Sequence, residues 1–310
     1  MADLIEIMAA PFAACMILVA LFAYLGIHII AREIIFVDLS LAQMAALGST
    51  SALLFHVSPD SMLGYAFSLA FTTLGAFIFS VTHVKRENRR VPQEAIIGLT
   101  FVMAAAAAIL VAGVTAEGHE IIEQVLVGSI LWVTWPMVLK LLVVFMAVGI
   151  FHWFLRHRFL TISLHEEEAV QAGWHIRGWD FLFYSTFGVA ITAAVPVAGV
   201  LLVFTFLVVP AVIAFLFTRK PRVLVAISWG AAAVACALGL YLSFQFDLPT
   251  GPLMVCVFGL VLLGTGFVCL AFPAPVAQDT TEYRVAASAG QRVPSKKNEP
   301  PAASYLTEEG

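Results

Sequence analysis

The chain has 310 residues, 61% hydrophobic and only 12% charged, with a formal net charge of −4 at pH 7. Soluble domains carry about 25% charged residues, so this composition, with a mean hydropathy of +0.97, argues against a soluble fold. No basic cluster forms the footprint that nucleic acid requires, which removes that class of partner.

The N-terminus, Met1-Ala-Asp-Leu-Ile-Glu6, has no basic stretch ahead of its first apolar run. A cleaved signal peptide is therefore not expected, and residues 7–31 are read as a retained span. Apolar runs follow at 34–56, 62–83, 94–114, 129–155, 180–195, 197–217, 223–246 and 251–272. Crossing ~30 Å of hydrocarbon takes ~20 residues. The expected fold is thus an all-α polytopic membrane protein with about nine transmembrane helices, or eight if the first segment is re-entrant or interfacial. From residue 273 the chain turns to Pro, Ala, Ser and charge, so 1–272 is read as the transmembrane domain and 273–310 as a disordered cytoplasmic tail.

Lys and Arg set the orientation. With the Lys85–Arg90 loop in the cytoplasm, alternation puts Arg32, Arg156, Arg158, Arg177, Arg219, Lys220, Arg222 and the four basic residues of the tail on the same side, fifteen of the 16 in all. Lys140 alone lies within a span, close enough to Trp132 and Trp135 to reach the outer interface. An odd number of spans then gives an outer N-terminus and a cytoplasmic C-terminus. The outer segments carry Asp3, Glu6, Asp60, Glu117, Glu120, Glu123 and Asp247. These are either ordinary solvated loops or a mouth that concentrates cations.

Within the second run, Ile34–Gly48 contains Asp38, Ser40 and Gln43. Polar groups at membrane depth are expensive and face a partner or a water-filled path. Counted from Arg32, Asp38 lies ~9 Å and Gln43 ~16 Å into the bilayer, ~140° apart around the helix axis. Ser40, Gln43, Ala46 and Thr50 form a small and polar stripe, while Ala42, Ala45, Gly48 and Ser49 let neighbouring helices approach closely. These residues either bond between helices or line a path for substrate.

Two outer segments offer metal-ligand types. His119 and Glu123 are four residues apart and share a face if helical, and His56 and Asp60 flank another turn. Either pair is too small for a closed site. The large inner loop contains Ser163-Leu-His-Glu-Glu-Glu-Ala-Val-Gln-Ala-Gly173. Ser163 is placed to cap a helix starting at Leu164, followed by His165, with Glu166 completing a capping box. Glu166, Glu167 and Glu168 suit the positive end of that helix, Leu164, Ala169 and Ala172 lie along one side, and Gly173 stops it. Such an element is either a surface tie between two spans or a docking site for a cytoplasmic partner. Further on, Pro196, Gly199 and Pro210 interrupt an apolar stretch, which loosens a helix and offers a gate.

Cys15, Cys236, Cys256 and Cys269 are scattered and form no CxxC pair, so neither a disulfide framework nor a zinc finger is indicated. No GxxxxGK[ST], GxSxG or HExxH motif is present. The chain is expected to be a transport subunit rather than an enzyme, driven by another chain or by an ion gradient.

Several segments together resemble the permease subunits of zinc/manganese-type ABC metal-ion importers. They are Gly26–Phe36, Asp38–Gly48, Glu94-Ala-Ile-Ile-Gly98, Leu126-Val-Gly-Ser-Ile-Leu131, Glu167–Gly173 and Ala198–Ala211. The likeness covers about residues 10–270. It implies a homodimer in the bacterial cytoplasmic (inner) membrane, an ATP-binding cassette subunit that hydrolyses ATP, and an extracytoplasmic metal-binding protein that delivers the ion. It also implies that 164–173 is a coupling helix docked on the ATPase. The cargo would be a zinc, manganese or iron ion, with no cofactor held by this chain. Many members carry Gly-Asp followed by His in the polar span. Here Gln43 takes the His place and Asp38 sits one position early. This departure keeps two alternatives open: a metal-chelate or siderophore cargo, and a self-contained proton-coupled secondary transporter using Asp38.

Overall fold

The structure, a computed structural model, describes residues 2–59, 61–83, 91–115 and 124–271, with side chains described from Met8 onward. Asp60, the Lys85–Arg90 loop, Glu117, His119, Glu120, Glu123 and the 273–310 tail lie outside the described residues, as do the side chains of Asp3 and Glu6. Every described element is helical, as the composition led one to expect, and no strand occurs among the described residues.

The first helix, α1 (Ala2–Arg32), ends on its only basic residue. A tight connection through Glu33, at φ 58°, leads into α2 (Val37–Leu53). The small residues of α2 act as the sequence suggests. A Cβ on Gly48 would meet the Phe67 carbonyl oxygen and the Ser68 Cα at 2.7 Å, so only glycine allows α3 (Met62–Val81) to pack this closely. The Ser49 and Ser68 hydroxyls bond at 2.6 Å across the same contact. Ser61 caps α3 by accepting from the Gly64 N–H. Pro92 precedes α4 (Gln93–Ala112), and Pro136 stands in the first turn of α5 (Trp135–Leu164), where a missing N–H costs nothing. Lys140 of α5 lies 5.6 Å from the ring centre of Tyr65, near the start of α3. The chain then forms α6 (Glu166–Gln171), α7 (Ile176–Phe217), α8 (Pro221–Phe246) and α9 (Thr250–Ala271).

Seven described helices are long and apolar enough to cross a membrane. Two differences from the apolar runs explain why this number is smaller than the run count. The 34–56 run shortens to the 17 residues of α2, about 25 Å of helix, because Ile34–Phe36 are spent on the connection. The 180–195 and 197–217 runs join into α7, whose 42 residues would measure about 63 Å if straight.

α7 is not straight. Asp180, near its start, contacts Arg32 at the end of α1. Leu207 and Ala211, beyond its middle, pack against Gly26 only two turns earlier on α1. In a straight helix Asp180 and Ala211 would be about 46 Å apart. The chain reverses at Gly199, whose φ of 74° and ψ of 159° interrupt the helical path. The sequence marks Pro196, Gly199 and Pro210 as candidate interruptions; the structure places the break at Gly199, the one of the three with no side chain to oppose that conformation. Pro196 and Pro210 both lie within helical backbone.

The centre of the bundle is aromatic. Phe183 of α7 is surrounded by Phe159, Phe187, His28 and His152 at ring separations of 5.5–6.2 Å, with the Arg32 guanidinium 4.3 Å from its ring centre. Lipid is as apolar as these side chains, so close packing and directed polar contacts hold the helices together, not release of water.

Candidate functional site

Asp38 lies in the first turn of α2 and is 1% exposed. Neither of its carboxylate oxygens has a hydrogen-bond partner. Ser40 is fully buried and its hydroxyl is also unpartnered, while Gln43 is 8% exposed. About two turns further on, the Thr50 hydroxyl donates to the Ala46 carbonyl at 3.0 Å. The polar stripe therefore divides: Thr50 is satisfied within its own helix, and Asp38 and Ser40 are left open.

The structure adds a second carboxylate. Glu94, at the start of α4, accepts from the Phe36 N–H at 3.0 Å, two residues before Asp38. Its other oxygen is buried and unpartnered, and its charge acts on Asp38. A buried carboxylate and a half-buried one, both with open oxygens and on facing helices, create a strong demand for a cation or a proton. Glu94 enters the sequence reading only as part of the Glu94–Gly98 resemblance. Its position as the sole carboxylate of its apolar run is the signal that marks it.

His56 is exposed on a turn at φ 57° and borders a cavity of about 550 Å³ with Leu53, Val57, Val114 and Thr115. Its sequence partner Asp60, and the His119/Glu123 pair, lie outside the described residues. Among the described residues no group of three His, Cys, Asp or Glu is arranged to hold a metal ion. Asp38 and Glu94 are two such groups, and among the described residues no third completes a closed centre with them.

At the other functional segment the capping arrangement differs from expectation. α5 continues through Leu164, His165 forms the junction, and the short helix starts at Glu166. Ser163 does not cap it, because its side chain points into the bundle. There its hydroxyl accepts from Arg32 Nε at 2.8 Å and pairs with His28 Nδ1 at 2.8 Å. The inward polar partners outcompete the local cap. Glu166, Glu167 and Glu168 do occupy the first turn of α6, and Gly173 ends the segment at φ 74°. Leu164, Ala169 and Ala172 do not share a side: Ala169 is fully buried, whereas Ala172 is exposed along with His165, Glu167, Glu168 and Gly173. Arg158 stacks on Trp174 at 4.1 Å and steadies the exit from α6.

Four residues that sequence reasoning did not connect meet behind α6, and two of them, His83 and Asp180, had no role there at all. Arg32 Nη1 donates to Asp180 Oδ1 at 2.6 Å. His83 Nε2 contacts Glu166 Oε1 at 3.0 Å. His83 Nδ1 lies 2.9 Å from Asp180 Oδ2, close enough for an ion pair but off-axis for a hydrogen bond. Burial disfavours the charged imidazole, yet the Asp180 and Glu166 carboxylates outweigh it and raise the His83 pKa to about 9. With Ser163 on Arg32, these contacts close a ring.

At the end of the bundle opposite Arg32, the α7 reversal is clasped by the segment before α5. Ser129 N–H donates to the Val197 carbonyl at 3.0 Å. The backbones of Val127–Gly128 and Ala198–Gly199 touch where side chains would sit, with Gly128 at φ 69° and Gly199 at φ 74°. Two of the segments singled out by resemblance, 126–131 and 198–211, thus form one contact. Pro210 lies lower in α7, where its carbonyl accepts from the Ser228 hydroxyl at 3.1 Å.

A sequence-family model described as the ABC 3 transport family matches residues 4–268. Among curated relatives, the chain is similar to the manganese transport system membrane protein MntB of Synechocystis sp., at 26% identity over 225 residues, 71% of each chain. It is also similar to the chelated iron transport system membrane protein YfeC of Yersinia pestis, at 24% identity over 205 residues, 66% of this chain and 69% of that one. The fold is similar to a solved structure of PsaBC from Streptococcus pneumoniae in complex with Fab, with a TM-score of 0.72 at 19% identity, covering 91% of this chain and 99% of that one.

Proposed function

The chain belongs to the ABC 3 transport family, and from that premise we propose that it is the membrane permease subunit of an ATP-driven importer of a divalent metal ion. Hydrolysis takes place in a separate ATP-binding subunit that docks on α6, through His165, Glu167, Glu168, Ala172 and Gly173, which stand exposed there. Two copies form the pore in the bacterial inner membrane, and an extracytoplasmic binding protein delivers the ion to the outer face. Counting α2 as a crossing and the two arms of α7 separately gives nine spans, an outer N-terminus and a cytoplasmic C-terminus. That count keeps Arg32, Arg219, Lys220 and Arg222 on one side.

The observation that carries the cation reading is the buried, unpartnered Asp38 carboxylate beside Glu94. A path that must release its ion needs few ligands, and two carboxylates with the Gln43 amide supply weak oxygen coordination. Carboxylate and carbonyl oxygens suit manganese, whereas zinc prefers imidazole or thiolate. Manganese is therefore the favoured cargo, in keeping with a relative named for manganese transport. Gly199, clasped by Gly128 and Ser129, is the point where the outer end of the path opens, and Pro210 loosens the returning arm.

The test is uptake of ⁵⁴Mn²⁺ by proteoliposomes holding the chain with its ATP-binding subunit, the ion being supplied on the extracytoplasmic binding protein. The proposal expects ATP-dependent uptake that Asp38→Asn abolishes. A relative named for chelated iron supports a second cargo; uptake only when a chelator accompanies the metal selects that reading instead. Uptake by the chain alone along a proton gradient refutes the ATP-driven reading.

A further inference from the structure

We propose that the ring formed by Arg32, Ser163, Glu166, His83 and Asp180 is the joint that carries a displacement of α6 into α1, α3 and α7, with His83 and Asp180 as its positioning residues. This rests on α6 being the site where the ATP-binding subunit docks.

The argument starts from the size of α6. Six residues have no helical stability of their own, and Ala169 is its only fully buried side chain. A single methyl contact slides; it cannot pull. The directed contacts are polar. Glu166 meets His83, which follows the end of α3, at 3.0 Å. His83 meets Asp180 in the first arm of α7 at 2.9 Å. Asp180 holds Arg32, the last residue of α1, at 2.6 Å. Arg32 returns to Ser163 at 2.8 Å, three residues before Glu166 along the backbone. One closed circuit therefore grips α6 at Glu166 and the end of α5 at Ser163, and runs through α1, the exit from α3 and the first arm of α7.

The circuit is stiff where it must be. The side chains of Arg32, Asp180 and His83 are 8%, 0% and 13% exposed. Parting a buried ion pair leaves an uncompensated charge out of water, so such pairs move together sooner than they separate. Glu166, at 31% exposed, is the wet end of the ring and is itself part of the element that is pushed. A cavity of about 570 Å³ bordered by Arg32, His83, Gln93, Ser163, Glu166 and Gln171 leaves space for that element to shift.

The ring also reaches the path. Arg32 is joined to α2 by four residues, and the last of these, Phe36, is bonded to Glu94. A pull on Arg32 is thus delivered to the Asp38/Glu94 pair through one short connection. Stated chemically, a push at α6 changes the spacing of two carboxylates, which is what grip and release of a cation require.

The experiment measures metal ions transported per ATP hydrolysed by the complex in proteoliposomes, for the unaltered chain, Glu166→Gln, His83→Gln and the double variant. The ATP-binding subunit should co-purify with each at unaltered stoichiometry and hydrolyse ATP. Each single variant should lose about tenfold in ions per ATP, and the double variant should lose no more than either. Glu166→Gln, at the solvent edge, keeps the test open if His83→Gln fails to assemble. An unchanged ratio, proportional losses of hydrolysis and transport, or losses that multiply in the double variant overturn the joint. Absence of ATP-driven uptake by the unaltered complex overturns the permease reading itself, and the joint with it.

Discussion

Gly199→Ala separates a reversed α7 from a continuous one by the sign of its effect. In a continuous helix, alanine would stabilise position 199 by up to about 1 kcal/mol. At the observed φ of 74° and ψ of 159°, a residue with a Cβ is strained by ~3 kcal/mol. The new Cβ would also meet Gly128 N at 2.6 Å, forcing the 127–129 segment away and breaking the Ser129–Val197 hydrogen bond, worth about 1 kcal/mol. The sum, ~4 kcal/mol, lowers the unfolding midpoint of a chain this size by about 8 °C, at ~2 °C for each kcal/mol. Thermal unfolding in detergent, followed by tryptophan fluorescence, measures it. Gly149→Ala in α5 is the control: a Cβ there meets nothing within 4 Å, so the midpoint should hold or rise. A Gly199→Ala midpoint at or above that of the unaltered chain refutes the reversal.

Other outcomes follow from the same geometry. Asp38→Asn should abolish ATP-driven manganese uptake in proteoliposomes while the chain still assembles with its ATP-binding subunit; retained uptake removes Asp38 from the path. Gln43→His should shift cellular metal content towards zinc, read by elemental analysis, because imidazole favours zinc; an unchanged zinc-to-manganese ratio would show that Gln43 does not touch the ion. Gly48→Leu should destabilise the chain by about 3 kcal/mol, since its Cβ collides with the Phe67–Ser68 backbone; an unaltered melting profile would contradict the close α2–α3 packing. His83 adds a pH dependence. Its pKa is raised from 6.5 to about 9, so its contribution is complete below pH 6.5 and is lost as the pH rises through about 9. At ~1.4 kcal/mol for each pH unit, that contribution is about 3 kcal/mol. The unfolding midpoint should therefore fall between pH 7 and 10 more steeply in the unaltered chain than in His83→Gln, and equal slopes would remove the ring's charge from the account.

Much of the fold is written locally and was legible for that reason. Apolar runs give the helices, Gly173 ends the inner helix, and Gly48 announces a close neighbour. The α7 reversal was legible as one of three candidates, Pro196, Gly199 and Pro210, because proline and glycine both signal interruption and only the backbone dihedrals reveal which one turns the chain. The start of α6 was misplaced because Ser163 has two available roles. A local rule favours the cap, and two partners more than 130 residues away in sequence, His28 and Arg32, win it for the interior. The ring was not legible at all. Arg32 and Asp180 are 148 residues apart, and each has an ordinary local reading: a basic residue at a membrane edge, an acid at a helix start. The Asp38 anomaly was visible in the sequence, but its pairing with Glu94 depends on α2 packing against α4.

The central claim is that this chain moves a metal ion at the expense of ATP split elsewhere. The direct measurement is entry of ⁵⁴Mn²⁺, supplied on the extracytoplasmic binding protein, into proteoliposomes containing the chain and its ATP-binding subunit, with ATP or a non-hydrolysable analogue on the α6 side. Entry with ATP and none with the analogue is the predicted result. Equal entry with both, or entry driven by a proton gradient when the ATP-binding subunit is absent, would contradict the account.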